Sequence, residues 1–232
     1  MSQITDIKIP GNASDAVVFV HGFGVRFDSR GMFTDIRNSL PKTWGSVLFD
    51  FYEAQENNVH ITSVAEQVTR LKNVVHRIRN QYNTTTIHLV AHSKGCIVTA
   101  LAKPDISGEV VLLSPPENFG TKLEKYFARY PGAKRTETEL IIPRKDGTIT
   151  HIPLSFFEET SRINAELAMF DYSKQHPIKI LQTTQDEVLG KTEYRDLQND
   201  ENIEITQMPS DHNFTNQYRK ELIKYLSEIL NI

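Results

Sequence analysis

Apolar positions along the chain fall into two patterns, short continuous runs and longer stretches with helical spacing. "AVVFVHG" (16–22) and "SVLFDFY" (46–52) are nearly continuous apolar runs, as expected of strands buried on both faces. Between them "SRGMFTDIRNSL" (29–40) has apolar residues at helical spacing, with Pro41 just after it. Residues 63–82 carry Val64, Val68, Leu71, Val75 and Ile78 at three- and four-residue steps, which predicts an amphipathic helix with Ser63 as its N-cap. A strand "TIHLVAH" (86–92) runs straight into another helical pattern, followed by a strand "GEVVLLS" (108–114). "IKILQTT" (178–184) and "NIEITQMP" (202–209) read as further strands, and "NQYRKELIKYLSEIL" (216–230) as a closing helix. Repeated βα units predict an α/β fold with a mostly parallel central sheet and helices on both faces.

Residues 115–177 break this rhythm, being too long for a plain crossover. "LEKYFARY" (123–130) is helical in pattern, and "ELIIPRKDGTITHIPL" (139–154) predicts a hairpin turning at Lys145-Asp146-Gly147. "SFFEETSRINAELAMF" (155–170) is helical again. The expectation is one domain over residues 1–232, with 115–177 as a lid-like insertion over one end of the sheet. Phe119, Tyr126, Phe127, Tyr130, Phe156, Phe157, Phe170 and Tyr172 lie in this insertion. They serve either to line an apolar pocket or to pack the insertion onto the sheet.

Chemistry concentrates where strands end. In "TIHLVAHSKGCIVTALA" (86–102) a serine stands at a strand-to-helix turn, flanked two residues away by Ala91 and Gly95. Small residues at those positions are what a strained nucleophile elbow requires, although Ser93 could equally cap the helix that follows. At the end of the first long buried strand lies His21-Gly22-Phe23-Gly24. Its glycines let a backbone N–H turn toward a reacting carbonyl oxygen, at the end of the sheet where ligands bind. With both motifs in place, the chain resembles the α/β-hydrolases from about residue 15 onward. That resemblance implies an oxyanion hole formed by the backbone N–H groups of Phe23 and Lys94. The Lys94 side chain is expected at the solvent or the pocket rim. The placement and size of the insertion are similar to those of cinnamoyl and feruloyl esterases. The chain departs from the family at "FYEAQENN" (51–58), where a glycine-bearing turn is usual and none stands here.

A serine needs a base. Of eight histidines, His212 in "QMPSDHNFTN" follows the last strand and precedes the last helix, where the family carries its histidine. The carboxylate belongs after the penultimate strand, which gives Asp186 in "IKILQTTQDEV". Glu187 is its near rival, and Asp211 is read as support for the His212 loop. The expected function is a serine esterase using Ser93, Asp186 and His212 on a small to medium acyl or aryl ester, with no cofactor. A thioesterase, an amidase or a hydrolase-fold binding protein are the alternatives.

Composition trims the field. Net charge is −3, with 24% charged residues, which offers no electrostatic case for nucleic acid or an anionic membrane. No apolar run approaches a membrane span, and the start lacks the pattern of a secretory signal. The single cysteine, Cys96, rules out an intramolecular disulfide and is read as core packing. A cytoplasmic monomer or homodimer is therefore expected. No histidine or carboxylate cluster shows metal-ligand spacing, so no metal is expected.

Overall fold

Val17, Val18, Phe19 and Val20 are all fully buried, because the strand bearing them lies inside a sheet covered on both sides. The computed structural model describes residues 6–82, 86–117 and 123–232, with the backbone alone at 54, 55, 125 and 126. In chain order, the first half runs β1 (Asp6–Lys8), β2 (Asp15–Val20), α1 (Met32–Ser39), β3 (Gly45–Leu48), β4 (Glu53–Gln55), β5 (Asn58–His60), α2 (Val64–Gln81), β6 (Thr86–His92) and α3 (Lys94–Ala102). The second half runs β7 (Val110–Leu113), α4 (Leu123–Ala128), β8 (Lys134–Arg135), β9 (Glu139–Pro143), β10 (Ile149–Pro153), α5 (Leu154–Ser161), α6 (Ala165–Ser173), β11 (Ile178–Thr183), β12 (Ile203–Met208) and α7 (Gln217–Leu230).

The main sheet has seven strands in the order β1-β3-β2-β6-β7-β11-β12. All neighbours are parallel except β1 and β3. The expected α/β architecture is thus the observed one. Alternate residues of each strand feed opposite faces. Val18, Val20, Leu89 and Ala91 join a core under α2, α3 and α6, while Val17, Phe19 and Val90 join a core with residues of α1 and α7. α3 is apolar nearly all round, since it lies between the sheet and its neighbours α2 and α6.

The predicted hairpin exists, with β9 and β10 antiparallel and Gly147 in the left-handed region at the turn. What the pattern did not reveal is its partner. "FYEAQENN", read above only as a departure in a loop, contributes β4 and β5, which form a hairpin of their own. β5 pairs with β10, giving a second sheet in the order β4-β5-β10-β9-β8. Strands this short carry little hydrophobic signal, and their pairing spans about ninety positions of sequence. The long helical stretch after the hairpin splits into α5 and α6. Among the aromatics of this region, Phe127, Phe156, Phe157 and Tyr172 are buried in the core and Phe170 packs against it. Phe119 and the Tyr126 side chain lie outside the described residues.

One polar joint ties the β7–β11 connection to the main body. Ser63 and Glu66 form a capping box at the start of α2. The next two donors, the Val64 and Ala65 N–H groups, go to Glu159 of α5 at 2.8 and 2.9 Å. A carboxylate at a helix N-terminus also meets the positive end of the helix dipole. Glu159→Ala should therefore lower unfolding free energy by about 1–2 kcal/mol, read as a lower urea midpoint at unchanged slope.

Candidate active site

Parallel pairing of β2 with β6 puts Val20 opposite Ala91. The residues just beyond each, Gly22 and Ser93, therefore face one another at the C-terminal edge of the sheet. Ser93 has φ 53° and ψ −127°, a sparsely populated conformation for a residue with a side chain. Its hydroxyl makes no capping bond to α3, so the helix-cap alternative is not the arrangement adopted. The turn is tight enough that a Cβ on Gly95 would overlap the carbonyl oxygen of Val20 and come within 2.7 Å of that of His21.

Ser93 Oγ lies 3.0 Å from His212 Nε2. On the other side of the ring, His212 Nδ1–H donates to Asp186 Oδ2 at 2.7 Å, which leaves the Nε2 lone pair toward the serine. Asp186 divides its oxygens between two tasks. Oδ1 accepts the Val188 and Leu189 N–H groups at 2.9 and 2.7 Å, closing its own turn, while Oδ2 also accepts from Thr183 Oγ1 at 2.8 Å. Burial opposes ionisation of Asp186, but the hydrogen bond and charge of His212, with these donors, hold its carboxyl below the usual range. Glu187 faces the backbone instead, accepting the His212 N–H at 3.0 Å. Asp211 accepts from the N–H groups of Asn213 and Thr215, so it shapes the loop as expected.

Two further histidines hold the frame. His92 Nε2–H donates to the His212 carbonyl at 2.9 Å. Burial first, then the neighbouring His212, pushes its pKa down to about 3. His21 accepts the Phe51 N–H at 2.9 Å and donates to the Gly22 carbonyl, tying the ends of β2 and β3 together. Complete burial, with Lys94 nearby, drives its pKa well down. Tyr52 Oη donates to Gly22 O at 3.3 Å and lies 3.4 Å from the Gly24 N–H, bridging the loop that carries Phe23. No local sequence signal points to His92 or Tyr52, since each acts on a residue distant in the chain, and Thr183, three residues before Asp186, carries no motif of its own.

Lys94 is a correction. Its N–H does fall in the first turn of α3, where no intrahelical acceptor exists. Its side chain, however, is buried rather than at the solvent or the rim, because α3 packs on α2. Its Nζ bonds Gln67 Oε1 and lies 4.4 Å from the Phe51 ring centroid and 5.0 Å from that of Tyr52. Burial pushes its pKa well below the usual lysine range. Cys96 is fully buried, as read from the sequence. The Phe23 ring stacks on Phe127 at 4.8 Å, which anchors its loop to the β7–β11 connection.

A cavity of about 690 Å³ opens over Ser93 and His212, walled by Phe23, Tyr130, Arg144 and Val188. Tyr130 is thus the described aromatic of the connection that reaches the cavity. Among the described residues no cluster of His, Cys, Asp and Glu is arranged to hold a metal, and no helix is long and apolar enough to cross a membrane.

Comparison with solved structures decides the fold. The chain superimposes on Est1E from Butyrivibrio proteoclasticus, solved with ferulic acid, with a TM-score of 0.71 over 96% of this chain and 92% of that one, at 18% identity. An esterase domain from a Rhodothermus marinus protein matches with a TM-score of 0.64 over 96% and 89%, at 17% identity. The chain has the α/β-hydrolase fold. In this α/β-hydrolase fold, the model of the T6SS Tle3 phospholipase effector domain matches residues 30–139. A probable lysophospholipase, BODYGUARD 1 of Arabidopsis thaliana, is 28% identical over 121 residues, half of this chain but only 25% of that protein.

The neutral buried histidines predict an acid-labile fold. Below the unfolded-chain value of about 6.5, the unfolded state binds protons that His21 and His92 refuse when folded. Stability therefore falls as pH drops below about 6.5, by about 1.4 kcal/mol per pH unit for each such histidine, a fall that for His92 continues toward pH 3. The depressed Asp186 acts lower, its contribution being lost only below about pH 4. Urea titrations between about pH 6 and 4.5 should show the His92→Asn slope reduced by about one proton.

Proposed function

We propose that this protein is a serine hydrolase of carboxylic esters. The observation carrying that reading is the continuous relay from Ser93 Oγ through His212 to Asp186, on a serine whose backbone is strained and whose hydroxyl caps nothing. In this reading His212 removes the Ser93 proton as Oγ attacks the ester carbonyl. Asp186 holds the imidazole in the Nδ1–H form and stabilises the imidazolium. The N–H groups of Phe23 and Lys94 receive the developing oxyanion, aided by the N-terminus of α3. His212 then protonates the leaving alcohol, and water repeats the attack to release the acid. The β7–β11 connection acts as a wall over the site, and no cofactor enters the scheme.

Ester chemistry is supported by the similar proteins, which include esterases, a probable lysophospholipase and a phospholipase effector domain. The buried, ordered surroundings of His212 favour catalysis over a ligand-holding role, since a binding protein has no use for a base aimed at a serine.

The test is intact mass after fluorophosphonate treatment, alongside hydrolysis of short p-nitrophenyl esters. Wild type should gain one adduct, absent in Ser93→Ala, and turnover should fall on the order of 10⁴-fold or more in that variant. Asp186→Asn should lose about 10³- to 10⁴-fold, because the imidazole can then adopt the wrong tautomer. An unlabelled, inactive wild type would remove the hydrolase reading.

A further inference from the structure

Three cations, Arg30, Arg144 and Lys145, line the cavity that holds Ser93. None of them forms an ion pair among the described residues, and the residues left undescribed include no Asp or Glu. The cavity also has two carboxylates, but both are engaged. Glu187 accepts the His212 N–H, and Asp146 accepts the N–H and hydroxyl of Thr148 within its own turn. Hydrogen bonding leaves both carboxylates charged, and Asp146 feels the charge of Arg30 and Arg144, but neither carboxylate lies within ion-pair distance of these cations, so three cations face the reaction space against two carboxylates.

Arg144 is the member placed for recognition. It stands at the β9–β10 turn, where its backbone N–H bonds the Thr148 carbonyl at 2.7 Å. Its Nε–H donates to Thr150 Oγ1 at 3.1 Å, and its guanidinium lies 5.6 and 5.7 Å from the ring centroids of Phe127 and Tyr130. The group thus lies within cation–π range of two rings, with one of its donors tethered. Gly24, in the left-handed region at φ 62°, lets the guanidinium lie against the oxyanion loop, for a Cβ there would overlap Arg144 Nη2. A tethered guanidinium still has donors to spare, and its planar fork matches carboxylate and phosphate oxygens. Burial lowers its pKa, a cost that a bound anion would offset.

We propose that the preferred ester carries an anionic oxygen group, carboxylate or phosphate, near the scissile bond, held by Arg144 with Arg30 and Lys145 at the rim. This rests on the ester-hydrolase reading above. It deepens that reading by naming the substrate's charge. A cleft whose lining cations outnumber its carboxylates also raises the local concentration of such an ester.

The test uses two matched pairs of short esters on the whole protein. Phenyl butyrate against phenyl hydrogen succinate places a carboxylate on the acyl side. Monobutyrin against butyryl glycerol phosphate places a phosphate on the alcohol side. In at least one pair the anionic ester should be favoured in kcat/KM, on the order of ten- to a hundredfold, as a charge-assisted contact supplies. The favoured pair identifies the side and source of the anion. That ratio should collapse toward one in Arg144→Gln and shrink in the exposed double variant Arg30→Gln/Lys145→Gln. It should also shrink in high salt, which screens the rim cations. If Arg144→Gln does not fold, the double variant and the salt series carry the test. Neutral esters favoured or equal in both pairs, with Ser93 still labelled by fluorophosphonate, overturns the anion proposal and leaves the hydrolase standing. A preference that survives every substitution overturns it as well. No labelling and no cleavage of any ester removes both readings together.

Discussion

The turn at Ser93 is the constraint around which the rest of the site is arranged. A serine with φ 53° persists only if its surroundings over-determine it, and they do so by contact. α3 approaches the end of β2 so closely that Gly95 has no room for a side chain against Val20 and His21. β2 must therefore lie beside β6, and that adjacency brings the His21-Gly22-Phe23-Gly24 loop to the serine. Sheet order, the position of the His21–Gly24 loop and the N-terminus of α3 all follow from one close approach of backbone to backbone.

Around the turn, the polar groups form a frame with few free members. Each histidine near the serine has a partner that fixes its ring, His21 through Phe51 and Gly22, His92 and His212 through one another and Asp186. Burial keeps His21 and His92 neutral, while the His212 ring stands between the serine and a carboxylate. Lys94 adds a buried amino group held by an amide oxygen and two aromatic faces, and burial disfavours its charged form, which has no opposing carboxylate among its bonds. Conformational precision near Ser93 thus rests on groups that water does not reach.

The wall of the cavity is assembled from two distant parts of the chain. β4 and β5 leave the main sheet after β3, and β8 to β10 arrive after β7, so the second sheet joins connections on either side of β6. Glu159 and the Phe23–Phe127 stack add polar and aromatic joints between this wall and the body. The β9–β10 turn is thereby fixed over the serine, and with it the charge of Arg144.

Local sequence alone determined the α/β alternation, the two strand-end motifs, the capping of α2 by Ser63 and the hairpin at Lys145-Asp146-Gly147. Each is written within a few consecutive residues as periodicity, a cap or a turn residue. The choice of Asp186 and His212 needed the family resemblance, because Glu187 and seven other histidines were equally available by residue type. Tertiary structure decided what contact alone can decide. It separated Asp186, on the His212 ring, from Glu187, on the His212 backbone. It buried Lys94 because α3 meets α2, and it made the stretch at 53–60, read from sequence only as a turn without glycine, into two strands of a second sheet. Pairing partners, side-chain burial and the direction of a charge depend on residues far along the chain, and no local pattern records them.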